Sequence, residues 1–195
     1  MADTEPIHPS KMIMSKEIFV RFAEPRERTR LKAMQAFSMR SLGAAYYEAE
    51  VLDAFVADVG TMDDVLLADG TYLVAYSGSE IIGCGGWTSR RSAHEPRTVR
   101  GAAQAARTAT VCSVYIHPSF ARRGIATALM SAIENEILSA GFDTASLTAT
   151  LSSIPLYRRL GYRSGDAVAV ELRKGMNFVA LKMDKRLRSS ALRAA

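Results

Sequence analysis

The stretch that most constrains this chain is Val114-Tyr115-Ile116-His117-Pro118 running into Ala121-Arg122-Arg123-Gly124-Ile125-Ala126-Thr127. An apolar strand ends at a proline, a short turn carries two arginines and a glycine, and a helix starts at once. The first turn of a helix has backbone N–H groups with no intrahelical partner, and the macrodipole adds partial positive charge there. A strand, turn and helix start of this kind therefore forms a pocket for an anion such as a diphosphate, held by backbone N–H groups of the first helical turn. Gly124 lets the backbone approach closely, Ala126 stays small, and Arg122 and Arg123 add positive charge.

The chain has 195 residues, 48% of them apolar and 23% charged, which suits one α/β domain with a full core. No apolar run reaches the ~18 residues of a membrane span, and residues 1–16 contain no secretory apolar segment, so the expected location is cytoplasmic, without a membrane partner. Cys84 and Cys112 fall within strand-like runs and read as buried thiols. With His8, His94 and His117 scattered, no metal site is expected. The net charge of +5 is modest, and the arginines concentrate in the 90–107 loop and the 182–193 tail. No aromatic and basic surface motif accompanies them, so no nucleic-acid partner is expected.

Residues 1–16 and 189–195 read as tails around a single domain over 17–188. Ile18 to Phe22 reads as a strand. Residues 26–59 read as two helices separated near Gly43, with Leu31, Met34, Phe37, Val51, Leu52, Phe55 and Val59 at helical spacing. Residues 72–76 and 81–87 form a hairpin around Ser77-Gly78-Ser79-Glu80, and 88–107 is an excursion. Strand 108–116 follows. Helix 123–140 carries Ile125, Leu129, Met130, Ile133 and Ile137 on one face and stops at Gly141. Strand 145–150, a short helix 154–160 capped by Gly161, and a closing strand pair, 167–172 with 178–183, complete the order. The fold class is α/β, with a mixed, mostly antiparallel sheet and helices on both faces.

This order, the 114–127 segment, and Leu156-Tyr157-Arg158-Arg159-Leu160-Gly161-Tyr162 resemble the GNAT superfamily of N-acetyltransferases, from about Lys16 to Arg188. The first segment is similar to that family's Q/R-x-x-G-x-G/A pyrophosphate loop, with Ala121 at the Q/R position. The second is similar to its F-Y-x-x-x-G-F motif. The resemblance implies a GNAT-like fold and acetyl-coenzyme A as co-substrate. It also implies splayed strands ending near Ile116 and Thr150, with the pantetheine arm against the backbone of Val114, Tyr115 and Ile116. Thr150 stands where the family has an asparagine that contacts the coenzyme.

The implied reaction is direct transfer of the acetyl group to a primary amine, foremost that of a small molecule, with Tyr157 as general acid. Backbone N–H groups near Ile116 are candidates for polarising the thioester carbonyl. The general base is open. The strand position where some relatives carry glutamate holds Thr110, leaving a water chain, Glu50, Glu171 or an amine of low pKa. Cys84 reads as a small buried filler. Trp87 reads equally as core or as rim of an acceptor pocket, and Tyr46, Tyr47 and Glu50 equally as acceptor contacts or packing. Arg90, Arg91, Arg97, Arg100 and Arg107 form a solvated loop or a clamp on an anion. A homodimer is compatible with the resemblance, and the rival readings are a protein or peptide amine acceptor, or a non-catalytic acyl-coenzyme A binding module.

Overall fold

A computed structural model describes residues 12–15, 18–62, 64–90 and 107–187. Strands β1 (Met12–Ser15), β2 (Ile18–Phe22), β3 (Tyr72–Ser77), β4 (Glu80–Thr88), β5 (Thr108–Ile116), β6 (Thr144–Thr150), β7 (Arg163–Glu171) and β8 (Asn177–Arg186) form one sheet in the order β1-β2-β3-β4-β5-β6-β8-β7. Helices are α1 (Arg28–Gly43), α2 (Ala49–Asp58), α3 (Val65–Ala68), α4 (Ile125–Ser139) and α5 (Ile154–Arg159).

Neighbours are antiparallel except β5 and β6, the parallel pair among the described residues. A parallel pair needs a crossover, and α4 is that crossover. Its Ile125, Leu129, Met130, Ile133 and Ile137 are the residues the helical spacing selects, and all are buried against one face of the sheet with Leu73, Ala75 and Ile82. The opposite face packs on α1 and α3 through Leu31, Met34, Leu66, Tyr72, Val74 and Tyr76. Strand β3 therefore alternates its side chains between two cores, as a covered strand must. Helix α2 packs Leu52 and Ala54 with Phe178 and Ala180 of β8.

Three glycines in Ile82-Gly83-Cys84-Gly85-Gly86 make these layers fit. A Cβ on Gly83 would lie 2.9 Å from Ile116 Cδ1 and 3.0 Å from Leu129 Cδ1, and one on Gly85 would lie 2.9 Å from Val114 Cγ2. Glycine here lets α4 and β5 close on the sheet. Both helices on the α4 side end in the same way. Gly141 and Gly161 take left-handed φ values of 89° and 88°, and the N–H groups of Phe142 and Tyr162 turn back to the carbonyls of Ile137 and Tyr157 at 3.1 and 3.0 Å. These are Schellman caps, and the second packs Tyr162 edge-on against Tyr157 with ring centroids 5.6 Å apart.

Several expected boundaries move. Met12–Ser15 lies inside the segment expected to be a tail, yet it pairs with β2. Helix α3, at four residues, is too short to leave a periodic signal. Strand β7 starts at Arg163 rather than 167, because Ser164-Gly165-Asp166 reads as loop chemistry while an edge strand tolerates exposed polar residues. Residues 1–11 and 189–195, assigned to the tails, and 91–106 of the excursion lie outside the described residues.

Gly86 gives a direct test of the packing. A Cβ there would meet backbone, Thr71 O at 2.6 Å and Tyr72 Cα at 3.1 Å, whereas the atoms around Gly83 are the tips of side chains that can turn aside. Gly86→Ala is expected to lower the unfolding free energy by about 2–3 kcal/mol and Gly83→Ala by less. Urea titration checks the ranking, and the reverse order contradicts it.

Candidate functional site

The site begins with an irregularity in β5. Cys84 pairs with Tyr115 and Gly86 with Cys112, so both Ser113 and Val114 stand opposite Gly85. Two residues against one is a β-bulge, and Ser113 sits at φ 54°, in the left-handed region. On the other side, β5 pairs with β6 at Thr108–Thr144, Ala109–Ala145 and Thr110–Ser146, and the ladder stops there. Strand β5 continues to Ile116 and β6 to Thr150, still bonded to β4 and β8 respectively. The two strands therefore open as a V whose crotch is Thr110, as the family resemblance implies.

Aromatic and thiol groups neighbour this opening. Tyr157 on α5 is only 6% exposed, and burial, with Cys112 adding to it, raises its phenol pKa above the ordinary value. Tyr115 is raised likewise by burial, with Cys84, Tyr157 and Cys112 within electrostatic reach. Cys112 Sγ donates to Thr110 O at 3.7 Å. Tyr157 is thus within electrostatic reach of Tyr115 and Cys112, both on β5 past its last pair with β6. Thr150 is already engaged in its own turn. Its hydroxyl donates to Ser153 Oγ at 3.1 Å, and its carbonyl accepts from Ser153 N and Oγ at 3.0 and 2.9 Å. Thr150 Oγ1 also lies 3.0 Å from Ser152 Oγ, so its hydroxyl is shared between two serines of its own turn.

Beyond the V, Pro118–Phe120 make one 3-10 turn, with Phe120 N bonded to His117 O at 2.9 Å. Arg122 and Gly124 then take φ values of 65° and 80°. The first helical bond of α4 runs from Ala128 N to Gly124 O at 3.1 Å, so the N–H groups of Ile125, Ala126 and Thr127 point out of the helix end. A Cβ on Gly124 would meet nothing within 4 Å. Its glycine is required by φ, and the space in front of it is open to a ligand. Arg122 and Arg123 are exposed, and the Arg123 guanidinium lies over the Phe120 ring at 5.1 Å.

Helix α1 closes the opposite side. Ser38 Oγ donates to Ile116 O at 2.7 Å, at the end of β5. Tyr47, in the connection to α2, spans the other strand: its hydroxyl donates to Val179 O at 2.7 Å and accepts from Leu151 N at 2.7 Å. The 38–47 segment therefore ties to both arms of the V. Beside it lies a pocket of about 500 Å³ lined by Arg40, Tyr46, Tyr47, Glu48 and Asp53 among others. Arg40 pairs with Asp53 at 2.6 Å.

Among the remaining candidates, Cys84 is fully buried and its thiol is pushed up to about 11, so it is an inert filler. Trp87 belongs to the core, its ring 5.7 Å from Phe142. Glu50 and Glu171 are both exposed. Arg90 and Arg107 pair with Asp69 and Asp143, each at 2.6 Å or closer, while Arg91, Arg97 and Arg100 lie outside the described residues. Among the described residues, no cluster of His, Cys, Asp and Glu could hold a metal ion, and no helix is long and apolar enough to cross a membrane. Nothing in the sequence marks Ser113, and Tyr47 stands there between acceptor contact and packing. The glycine run opposite Ser113 is the one local sign of the bulge.

The sequence matches the Acetyltransferase (GNAT) family over residues 36–162, more than half of the chain. No curated protein matches it. Its fold is similar to that of the GCN5-related N-acetyltransferase from Rhodopseudomonas palustris, at TM-score 0.65 and 19% identity over 90% of this chain and 99% of that one. It is similar to the PaiA N-acetyltransferase from Thermoplasma acidophilum in complex with coenzyme A, at TM-score 0.61 and 14% identity over 87% and 98%. It is also similar to YncA, a putative acetyltransferase from Salmonella typhimurium with acetyl-CoA, at TM-score 0.58 and 18% identity over 90% and 97%.

The tie made by Tyr47 is open to test. Tyr47→Phe removes the acceptor for Leu151 N–H and the donor to Val179 O together. Equilibrium unfolding should show a loss of about 1–3 kcal/mol. A loss below 0.5 kcal/mol contradicts the bridging role.

Proposed function

The chain belongs to the GNAT acetyltransferase family, and we propose from that premise that it transfers the acetyl group of acetyl-coenzyme A to the primary amine of a small molecule. The observation that carries this reading is the V between β5 and β6, with the buried Tyr157 within electrostatic reach of Tyr115 and Cys112 on its β5 arm and the open N-terminus of α4 beside that arm. The diphosphate lies on the N–H groups of Arg122 through Thr127, where the α4 dipole favours negative charge. The pantetheine amides take the place of the missing strand neighbour against Val114, Tyr115 and Ile116, as in β-augmentation. Ser38 already donates to Ile116 O, so on the β5 arm the arm's donors have most scope before that residue.

The amine enters from the α1–α2 side. A pocket of about 500 Å³ suits a small acceptor, and Glu48 gives it a negative edge that attracts an ammonium. An alkyl ammonium with pKa ~10.4 is neutral in only ~10⁻³ of molecules near pH 7, so its deprotonation costs about 4–5 kcal/mol. With Thr110 at the crotch and Glu50 and Glu171 exposed, water is the route for that proton that fits best. The neutral amine attacks the thioester carbon to give a tetrahedral oxyanion, its nitrogen gives up its extra proton to water, the oxyanion collapses as the C–S bond breaks, and the thiolate takes a proton from a donor that water then reloads.

Tyr157 is the donor of that proton. With ordinary values, ~10 for tyrosine and ~8.5 for a thiol, donation is uphill by about 2 kcal/mol. Burial raises the phenol further, and desolvation of the departing thiolate raises its proton affinity in the same direction. The raised pKa also keeps the acid loaded: ionisation of Tyr157 falls above pH ~10, so it produces no alkaline loss of rate below that pH.

The test is an amine panel followed by release of free coenzyme A thiol. Tyr157→Phe should lower kcat about 10²-fold, within the range for a general acid, with coenzyme affinity changed less than threefold. Rates equal to wild type at every pH remove Tyr157 as the acid. Coenzyme binding with no thiol release across the panel replaces the enzyme reading with that of a binding module.

A further inference from the structure

The β5–β6 ladder ends at Thr110 and β5 bulges against β4 at Ser113, three residues into the opening, and a serine at φ 54° persists only where its surroundings enforce that conformation. The enforcing groups come from α1, β3 and β4. The Ser113 carbonyl accepts from the Tyr72 hydroxyl at 3.2 Å and from the Cys84 thiol at 3.8 Å. The Tyr72 hydroxyl accepts in turn from the Gln35 side-chain amide, which also lies 3.6 Å from Cys84 Sγ. The Gln35 carbonyl accepts from Thr61 Oγ1 at 3.0 Å. Four elements of chain thus meet in one hydrogen-bonded run that ends on the bulge.

This run is sealed. Tyr72 is 1% exposed and Gln35 0%. Tyr72 Oη and Gln35 Nε2 each have two partners within the run, and no water reaches them to replace a lost one, so the run favours a single arrangement. The ring of Tyr72 is placed by the absence of a side chain at Gly86, where a Cβ would come within 2.7 Å of Tyr72 Cδ2. Glycine, tyrosine, glutamine and serine are in this way parts of one device.

We infer that Tyr72 and Gln35 are positioning residues for coenzyme binding: through the Ser113 carbonyl they hold the bulge, and hence the gap between β5 and β6, open before the ligand arrives. The inference rests on the reading that the coenzyme occupies that gap. Neither residue reaches solvent, so neither touches the ligand, and their effect is pre-organisation. Without the hydroxyl, Ser113 gains by relaxing toward ordinary strand angles, and β5 drifts toward β6. A coenzyme that binds only the open form then loses affinity by the fraction of protein that has closed.

The experiment is calorimetric titration of coenzyme A into wild type, Tyr72→Phe and Tyr72→Phe with Ser113→Gly, beside KM for acetyl-coenzyme A and for the acceptor. Tyr72→Phe keeps the ring and removes only the hydroxyl. Its coenzyme Kd and its KM for acetyl-coenzyme A should rise about tenfold, the size expected of one lost hydrogen bond, with the acceptor KM within twofold. Ser113→Gly removes the strain of the left-handed residue and should bring the Kd back to within about threefold of wild type. Cys84→Ala, which deletes the weaker donor to the same oxygen, should give a smaller change in the same direction and carries the test if Tyr72→Phe does not fold. A purely structural role lowers the melting temperature and leaves Kd within twofold of wild type, and that result overturns the inference while the coenzyme reading stands. Failure of wild type itself to take up coenzyme A overturns both.

Discussion

A strand cannot keep regular ladders on both edges and also offer an edge to a ligand. In this chain β5 pairs with β6 only as far as Thr110, and three residues later, at Ser113, one extra residue against Gly85 bends the strand. Each arm of the resulting V keeps one partner, β4 or β8, so the opening is firm without being sealed. The bend takes a serine into the left-handed region, which costs about 1–2 kcal/mol. Burial of α4 and α1 on the two faces supplies the stability against which such a cost is tolerated.

The same packing places the charge. Gly83 and Gly85 allow α4 to lie close on β4, so that Ile125 in its first turn sits within reach of the end of β5 at Ile116. The helix N-terminus therefore comes to the mouth of the V as a consequence of core packing. Arg122 and Arg123 are secondary to it, since they are exposed and one rests on Phe120. The Schellman cap at Gly161 performs the corresponding task for Tyr157: it ends α5, turns Tyr162 back, and packs the two rings together. The tyrosine and glycine of that motif have a mechanical relation as well as a chemical one.

What was legible in the sequence was what is local. The apolar stripe of α4 was read residue for residue, and so were the two glycine caps, because period and turn chemistry depend only on near neighbours. Long-range contacts left no such trace. Tyr47 meets Leu151 across 104 positions and Ser38 meets Ile116 across 78, and in the sequence both look like ordinary helix-face residues. Ser113 sits in an unbroken β-rich run, Thr-Val-Cys-Ser-Val, so its bulge is set by Tyr72 and Gly85 on other strands. Trp87 had two readings because strand pattern cannot say which end of a strand is covered; Phe142, after α4, covers it.

The central claim is that backbone amides at the start of α4 and along the β5 arm of the V form the coenzyme site. Titrating coenzyme A into isotopically labelled protein and following amide resonances tests it at the atoms concerned. The account predicts saturable shifts at Gly124, Ile125, Ala126 and Thr127 together with Val114, and little change along β2 and β3. Resonances of the α4 first turn that stay in place at millimolar coenzyme A, or shifts confined to another face of the sheet, would contradict it.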